Sequence, residues 1–154
     1  MPRIESRIVE VCIFSIGEQG PEYLLLRRSP DEALFPGIWQ FVSGSLEEGE
    51  NAAAAARREM GEETSLVPDE FWVAPHVNSH YDPSRDALNL TPVFAARVPP
   101  GSVPKLSPEH SEYLWCDLES AARRLLWPGQ REALRIVHEY IVGGSDAAGR
   151  SRLP

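Results

Sequence analysis

The segment from Gly44 to Leu66 constrains the fold of this chain more than any other stretch of its 154 residues. It reads GSLEEGENAAAAARREMGEETSL, with six glutamates around a run of five alanines. Alanine has the highest helix propensity, and Asn51, directly before the run, is a typical N-cap residue. The sequence therefore predicts a helix from about Asn51 to Glu63.

Three carboxylates of this predicted helix crowd one face. Glu59, Glu62 and Glu63 stand at positions i, i+3 and i+4, which are neighbours on a helix surface. Like charges at that spacing destabilise a helix by about 0.2–0.5 kcal/mol per pair. Arg58 can offset Glu62 at i+4, which leaves Glu59 and Glu63 facing each other. Two interpretations stay open on these residues alone: a solvated acidic face, which is the commoner arrangement, or a metal site.

Apolar, β-branched stretches flank the helix on both sides. RIVEVCIFSI and YLLLRRS, on either side of the turn GEQGPE, predict a hairpin. GIWQFVSGS predicts another strand before the helix, and EFWVAPHVNSHY, ALNLTPVFAARV and SEYLWCDL predict three after it. Two further helices follow, the second beginning at Trp127-Pro128. This order predicts a mixed sheet covered by helices.

The length and charge of the chain limit the kind of protein it can be. A chain of this length fits one core, so we expect a single domain over residues 1–143 and a flexible tail over 144–154. The net charge of −8 argues against nucleic acid polymers and membranes as partners, because both recruit basic surfaces. Cys12 and Cys116 lie in apolar stretches without a C-x-x-C motif, which predicts reduced core residues in a cytoplasmic protein.

The spacing of residues before and within the helix resembles the Nudix box. Gly44 is followed after five residues by Glu50, and after seven more by REMGEETSL, residues 58–66. The sequence departs from the box at Ser65, where the family usually has the glycine that suits a left-handed helix C-cap. Because the match spans twenty-three residues of mixed type, it favours the metal site over the solvated face.

The resemblance implies a fold, an activity and a set of site residues. The fold is an α/β/α sandwich around a central mixed β-sheet, and the activity is hydrolysis of a diphosphate linked to another moiety. The implied cofactor is Mg²⁺, with Mn²⁺ as a substitute, held by Glu59, Glu63 and the backbone carbonyl of Gly44. Glu50 and Arg58 are implied as a supporting pair that holds the loop to the helix. The general base is left open between two carboxylates, Glu62 and Glu109.

Two other stretches, RRSPDEALFPGIWQFVSGSLEEGE and PEHSEYLWCDL, resemble the bacterial dihydroneopterin triphosphate pyrophosphohydrolases, which also cleave nucleoside triphosphates such as dATP. This similarity implies that Arg27 and Ser43 contact substrate and that Glu109 is a further metal ligand. Arg28 and Arg7 are additional candidates for binding phosphate. The ordinary alternatives are surface charges for the arginines and a turn cap for Glu109.

His80 and Tyr81 are candidates for contact with a base or pterin. They precede the polar loop DPSRD and can stack on, or hydrogen-bond to, a ring. The ordinary alternative for His80 is a solvated side chain. No readable pattern in this part of the sequence identifies the ring.

We therefore expect cleavage of a nucleoside triphosphate or dihydroneopterin triphosphate to the monophosphate and diphosphate, by water attack on phosphorus. The expected partner is a phosphorylated small molecule, and the chain is expected to be a monomer or homodimer. One alternative is a dinucleoside polyphosphate hydrolase of the Ap4A type. The other is a non-catalytic Nudix scaffold that binds a nucleotide, which the presence of Glu59, Glu62 and Glu63 disfavours.

Overall fold

A nine-stranded mixed β-sheet forms the centre of the computed structural model, which describes residues 1–154. The strands are β1 (Arg3–Glu5), β2 (Ile8–Gly17), β3 (Gly20–Arg28), β4 (Trp39–Gln40), β5 (Val42–Ser45), β6 (Glu70–Asp82), β7 (Ala87–Arg97), β8 (His110–Cys116) and β9 (Arg152–Leu153). The α-helices are α1 (Ala52–Thr64), α2 (Leu118–Arg124), α3 (Pro128–Ile136) and α4 (Asp146–Ser151), and a π-helical turn, Val137–Val142, extends α3. None of the helices has the length and apolar content needed to cross a membrane.

The sheet is mixed because β7 pairs in parallel with both β1 and β2, whereas the other strands pair antiparallel. Strand β2 is buried on both faces, as its continuous apolar run requires. Val9 and Val11 belong to a core cluster with Ala55, Ala56 and Met60 of α1. Cys12 and Phe14 face a second cluster, to which α2 and α3 contribute Ala121, Ala133 and Leu134. These two layers confirm the predicted α/β/α sandwich.

The strand predicted from GIWQFVSGS is divided in two. Gln40 of β4 pairs with Leu26 of β3, whereas Val42 of β5 pairs with Val11 of β2. The chain therefore changes its neighbour at Phe41, which is fully buried between the two short strands. The predicted hairpin is confirmed, since β2 and β3 pair antiparallel up to Gly17 and Gly20.

The C-terminal residues differ from the flexible tail expected from sequence. They form α4 and β9, and β9 pairs antiparallel with Phe71 and Trp72 of β6. Arg57 of α1 donates a hydrogen bond to the backbone oxygen of Pro154 at 2.6 Å. The physical reason is that β6 offers a free edge whose backbone groups need partners, which the glycine- and serine-rich tail sequence does not reveal.

Candidate active site

The helix α1 begins and ends where its local sequence places the caps. The Asn51 side chain accepts a hydrogen bond from the backbone N–H of Ala54 at 2.9 Å. Ser65 ends the helix in the left-handed conformation, with φ of 59°, and its N–H donates to the oxygen of Gly61 at 2.8 Å. The residue that departs from the Nudix box therefore keeps the backbone conformation that a glycine would adopt, at the cost of some strain.

Gly44 lies against the carboxylate of Glu59. A Cβ atom built on Gly44 would be 1.9 Å from Cδ of Glu59, far inside van der Waals contact. A side chain at this position would force the Glu59 carboxylate to move, so glycine lets the carboxylate keep its place against β5. The backbone of Gly44 and the Glu59 carboxylate are thereby brought together at one point.

Glu63 is the most deeply buried carboxylate of the cluster. It is 2% exposed, and neither of its carboxylate oxygens has a hydrogen-bond partner. Burial raises its pKa to about 9, and the negative charges of Glu109 and Glu59 add to the rise. The nearby backbone N–H of Ser43 and the charge of Arg28 lower the pKa, but by less. Burial likewise raises the pKa of Glu59, against the lowering effect of Arg58. Such groups call for a cation beside them.

Arg58 joins the loop before α1 to the acidic face of the helix. Its guanidinium forms two 2.9 Å hydrogen bonds to the two carboxylate oxygens of Glu50 and a third to the backbone oxygen of Ser45. It also donates to Glu59 at 2.9 Å and to Glu62 at 3.3 Å. These bonds lower the pKa of Glu50 and hold the Glu59 side chain in place. The structure thus brings the two predicted supporting residues into direct contact.

Glu109, in the turn before β8, and His110, the first residue of β8, lie at the same place. One ligand atom each from Glu63, Glu109 and His110 lies within 4.8 Å of the other two. His110 is buried, and burial, with the nearby charge of Arg28, lowers its pKa to about 4. His110 is absent from the site expected from sequence, although its place directly after Glu109 could have pointed to it.

This donor set fits a divalent cation. Two observations support this. Both carboxylate oxygens of Glu63 lack a hydrogen-bond partner, and the carboxylate of Glu59 lies in close contact with Gly44. Carboxylate oxygens are the protein ligands that Mg²⁺ prefers, usually few in number because the ion keeps several waters. The residues that could hold it are Gly44, through its carbonyl, and the three carboxylates Glu59, Glu63 and Glu109.

Arg27 and Arg28 lie on opposite faces of β3. Arg28 pairs with His110 of β8, just past a register shift between Arg27 and Arg28, and its positive charge opposes the rise in pKa of Glu63. Its guanidinium is engaged by Glu32 at 3.2 Å. Arg27 donates to the backbone oxygen of Gly37 at 3.1 Å and stays partly exposed. The structure therefore places Arg28 on the face of the carboxylate cluster and Arg27 on the other face.

The remaining candidates are spread along the sheet. Ser43 directly precedes Gly44 and pairs with Glu10 of β2. Arg7 is exposed and lies 3.4 Å from Glu5. His80 and Tyr81 are exposed near the end of β6, where the Tyr81 hydroxyl donates to Asp86 at 3.0 Å. No hydrogen bond or ion pair joins Arg7, His80 or Tyr81 to the carboxylates of α1.

Comparisons with known proteins find similar sequences and structures over most of the chain. The sequence model of the NUDIX domain matches residues 6–137. The chain is 29% identical over 156 aligned residues to a dihydroneopterin triphosphate diphosphatase of Escherichia coli strain K12, covering 93% of this chain and 98% of that protein. It is 37% identical over 128 residues to an octanoyltransferase of Myxococcus xanthus, covering 81% of this chain but only 35% of that longer protein. Among solved structures, a MutT protein from Methanosarcina mazei Go1 superimposes with a TM-score of 0.70 at 26% identity, covering 90% of this chain and 96% of that one.

Proposed function

The chain belongs to the NUDIX family of hydrolases, and we propose that it is a Mg²⁺-dependent pyrophosphohydrolase acting on a nucleoside triphosphate or dihydroneopterin triphosphate. The products are the monophosphate and diphosphate. The observation that carries the proposal is the buried carboxylate of Glu63, which has no partner and lies among Glu59 and Glu109. Similarity to the Escherichia coli diphosphatase over nearly the whole chain supports the triphosphate as substrate class.

In this proposal the metal ligands are Glu59, Glu63, Glu109 and the carbonyl of Gly44. A bound divalent ion neutralises phosphate oxygens and favours ionisation of the attacking water. The chain contributes a rigid support for these ligands. Because Arg58 fixes Glu59 while Glu50 anchors Arg58, the acidic face is already ordered before substrate arrives.

Proton transfer and phosphate binding fall to residues around this face. Glu62 and Glu109 are exposed carboxylates, and either can accept the proton of the attacking water. Arg28 is the arginine best positioned to neutralise a phosphate near Glu63, since its charge already acts on that carboxyl. Arg27, Ser43, Arg7, His80 and Tyr81 remain candidates for contact with the rest of the substrate.

The experiment is a substrate panel with Mg²⁺ that resolves diphosphate from orthophosphate. The panel contains dihydroneopterin triphosphate, dATP, 8-oxo-dGTP, diadenosine tetraphosphate and ADP-ribose. We expect diphosphate and a monophosphate from one of the three triphosphates, with the highest kcat/KM of the panel. Preferred turnover of diadenosine tetraphosphate would favour the Ap4A-type hydrolase, and orthophosphate as the first product would overturn the proposed cleavage. Binding without turnover of any compound would indicate a nucleotide-binding scaffold.

A further inference from the structure

His110 has no part in the chemistry proposed above, yet its ring lies beside the carboxylate of Glu63. The side chain of His110 is 0% exposed and that of Glu63 is 3% exposed. Nδ1 of His110 and both carboxylate oxygens of Glu63 are buried without a hydrogen-bond partner. Buried polar atoms are nearly always satisfied in folded proteins, so two such groups facing each other point to a shared partner.

The distance between the two groups identifies the kind of partner. Nδ1 of His110 lies 3.9 Å from Oε2 of Glu63, which is too long for a hydrogen bond. Two atoms bound to one ion, each at about 2.1 Å, lie roughly 3.0 Å apart at a right angle and roughly 4.2 Å apart when opposite. The observed separation falls within that range, and Glu109 brings a third ligand atom within 4.8 Å.

The second ring nitrogen of His110 also has a suitable neighbour. Nε2 of His110 lies 3.1 Å from the side-chain amide of Gln40, which is buried on β4. A half-turn of that amide exchanges its nitrogen and oxygen, so its oxygen can accept the Nε2–H and leave the lone pair of Nδ1 free. Metal-binding histidines usually donate their second N–H in this way, which fixes the tautomer.

We propose that Nδ1 of His110 is a ligand of the metal site that it shares with Glu63 and Glu109, and that this site therefore favours Mn²⁺ over Mg²⁺. The inference rests on the proposed function only for the presence of a divalent ion at α1. Carboxylates and waters suit both Mg²⁺ and Mn²⁺, whereas imidazole nitrogen is typically a ligand of transition ions. The imidazole of His110 is therefore the one ligand in this set that discriminates between the two ions. A nitrogen ligand here would distinguish this chain from a site built of carboxylates alone.

The test is pulsed electron paramagnetic resonance of Mn²⁺ bound to the full chain without substrate. Electron spin echo modulation detects a nitrogen atom coordinated directly to Mn²⁺. We expect a ¹⁴N signal in the wild type, replaced by a ¹⁵N signal when only the histidines are labelled with ¹⁵N. The labelled wild type needs no substitution, so the result does not depend on whether a variant folds.

Two variants identify the histidine. His110→Asn should lose the nitrogen signal. The matched control His76→Asn should keep it, since it removes an imidazole ring that is hydrogen-bonded to Asn78 instead. We also expect His110→Asn to weaken Mn²⁺ binding on the order of tenfold or more, with a smaller change for Mg²⁺. Stoichiometric Mn²⁺ without a histidine signal, or a signal that survives in folded His110→Asn, would overturn the inference.

These outcomes are separable from those of the proposed function. A histidine signal in a chain that hydrolyses none of the triphosphates would keep the inference while the proposed function fails. Hydrolysis of a triphosphate without a histidine signal would keep the proposed function and overturn the inference that His110 binds the metal. His110 would then be left as a residue that only packs against Glu63.

Discussion

At the scale of single residues, the carboxyl group of Glu63 is held protonated by its surroundings when no cation is present. Burial, and then the charges of Glu109 and Glu59, raise its pKa from 4.5 to about 9. Between these values the folded chain binds more protons than the unfolded chain, so the contribution of Glu63 to stability falls as pH rises from about 4.5 to 9.

Glu63→Gln should remove much of this pH dependence. In EDTA we expect the variant to be at least as stable as the wild type at pH 8, because glutamine resembles the neutral carboxyl group. Urea unfolding at pH 5, 7 and 9 measures the effect, with the exposed Glu62→Gln as control. We expect the unfolding free energy of the wild type to fall more between pH 5 and pH 9 than that of Glu63→Gln. An equal fall in the two proteins would contradict the prediction.

The same variant should lose activity. We expect kcat with Mg²⁺ to fall on the order of 100-fold or more, because stabilisation of developing charge by a metal ion is worth several kcal/mol. Mg²⁺ should raise the Tm of the wild type, since it binds the folded state, and should raise that of the variant less. Full activity together with an unchanged response to Mg²⁺ would show that Glu63 does not bind the metal, as in the alternative interpretation of the acidic face.

Gly44 and Gly61 offer a matched pair of glycine substitutions. Gly44→Ala places a methyl group 1.9 Å from Cδ of Glu59, so the carboxylate must move, and a displacement of about 1 Å costs on the order of 100-fold in rate. Gly61→Ala meets nothing within 4 Å and should stabilise the helix by about 1 kcal/mol. Steady-state kinetics and urea unfolding of both variants measure this, and equal activity would refute the role of the close approach at Gly44.

At the scale of elements, the end of α1 stores strain at Ser65. A residue with a side chain in the left-handed conformation costs the folded state roughly 1–2 kcal/mol. Glycine avoids this cost, but its greater flexibility stabilises the unfolded chain by roughly 0.5–1 kcal/mol, so only part of the gain remains. We therefore expect Ser65→Gly to stabilise the protein by about 0.5–1 kcal/mol and Ser65→Ala to give no gain. Thermal and urea unfolding of the two variants compare them directly, and a less stable Ser65→Gly would count against strain at this cap.

The elements that sequence predicted are those fixed by local signals. Asn51 and the alanine run set the start of α1, and the turn between Gly17 and Gly20 sets the hairpin. The division of the strand at Phe41 was not predictable, because it depends on which neighbouring strand supplies each hydrogen bond. His110 was missed for a similar reason, since its burial beside Glu63 depends on packing between elements distant in sequence.

At the scale of the whole molecule, the two-layered core explains how the chain tolerates a buried carboxyl group on its acidic face. Apolar residues of α1 pack on the sheet through Ala55, Ala56 and Met60, all of them fully buried. Burial of Met60 alone contributes about 1.5–3 kcal/mol, and this packing offsets the cost of keeping the Glu63 carboxyl group out of water. The fold can therefore hold the protonated carboxyl group of Glu63 close to Glu59 before any cation binds.

The C-terminal residues test whether the edge of the sheet contributes to this stability. Removing residues 145–154 would expose the backbone of Phe71 and Trp72, which β9 covers, and would break the Arg57 hydrogen bond to Pro154. Loss of a few such hydrogen bonds should cost about 1–2 kcal/mol, which lowers the Tm of a chain this size by roughly 2–8 °C. Successive N–H groups of a strand point to opposite neighbours, so amide hydrogen exchange should accelerate at the one of Phe71 and Trp72 whose N–H faces β9, while the other stays bonded to β7.

Activity provides the control for this truncation. The tail does not contact Glu59, Glu63 or Glu109 through any hydrogen bond or ion pair, so kcat with Mg²⁺ should stay close to the wild-type value below the lowered Tm. The substitution Arg57→Ala, in the full chain, should reproduce the part of the Tm loss that comes from the hydrogen bond to Pro154, and it also removes the contact of Arg57 with the Phe71 ring at 4.3 Å. If the truncated chain keeps the wild-type Tm and the exchange rates of Phe71 and Trp72, then β9 contributes nothing measurable. These residues would then behave in solution as the flexible tail that their sequence suggests.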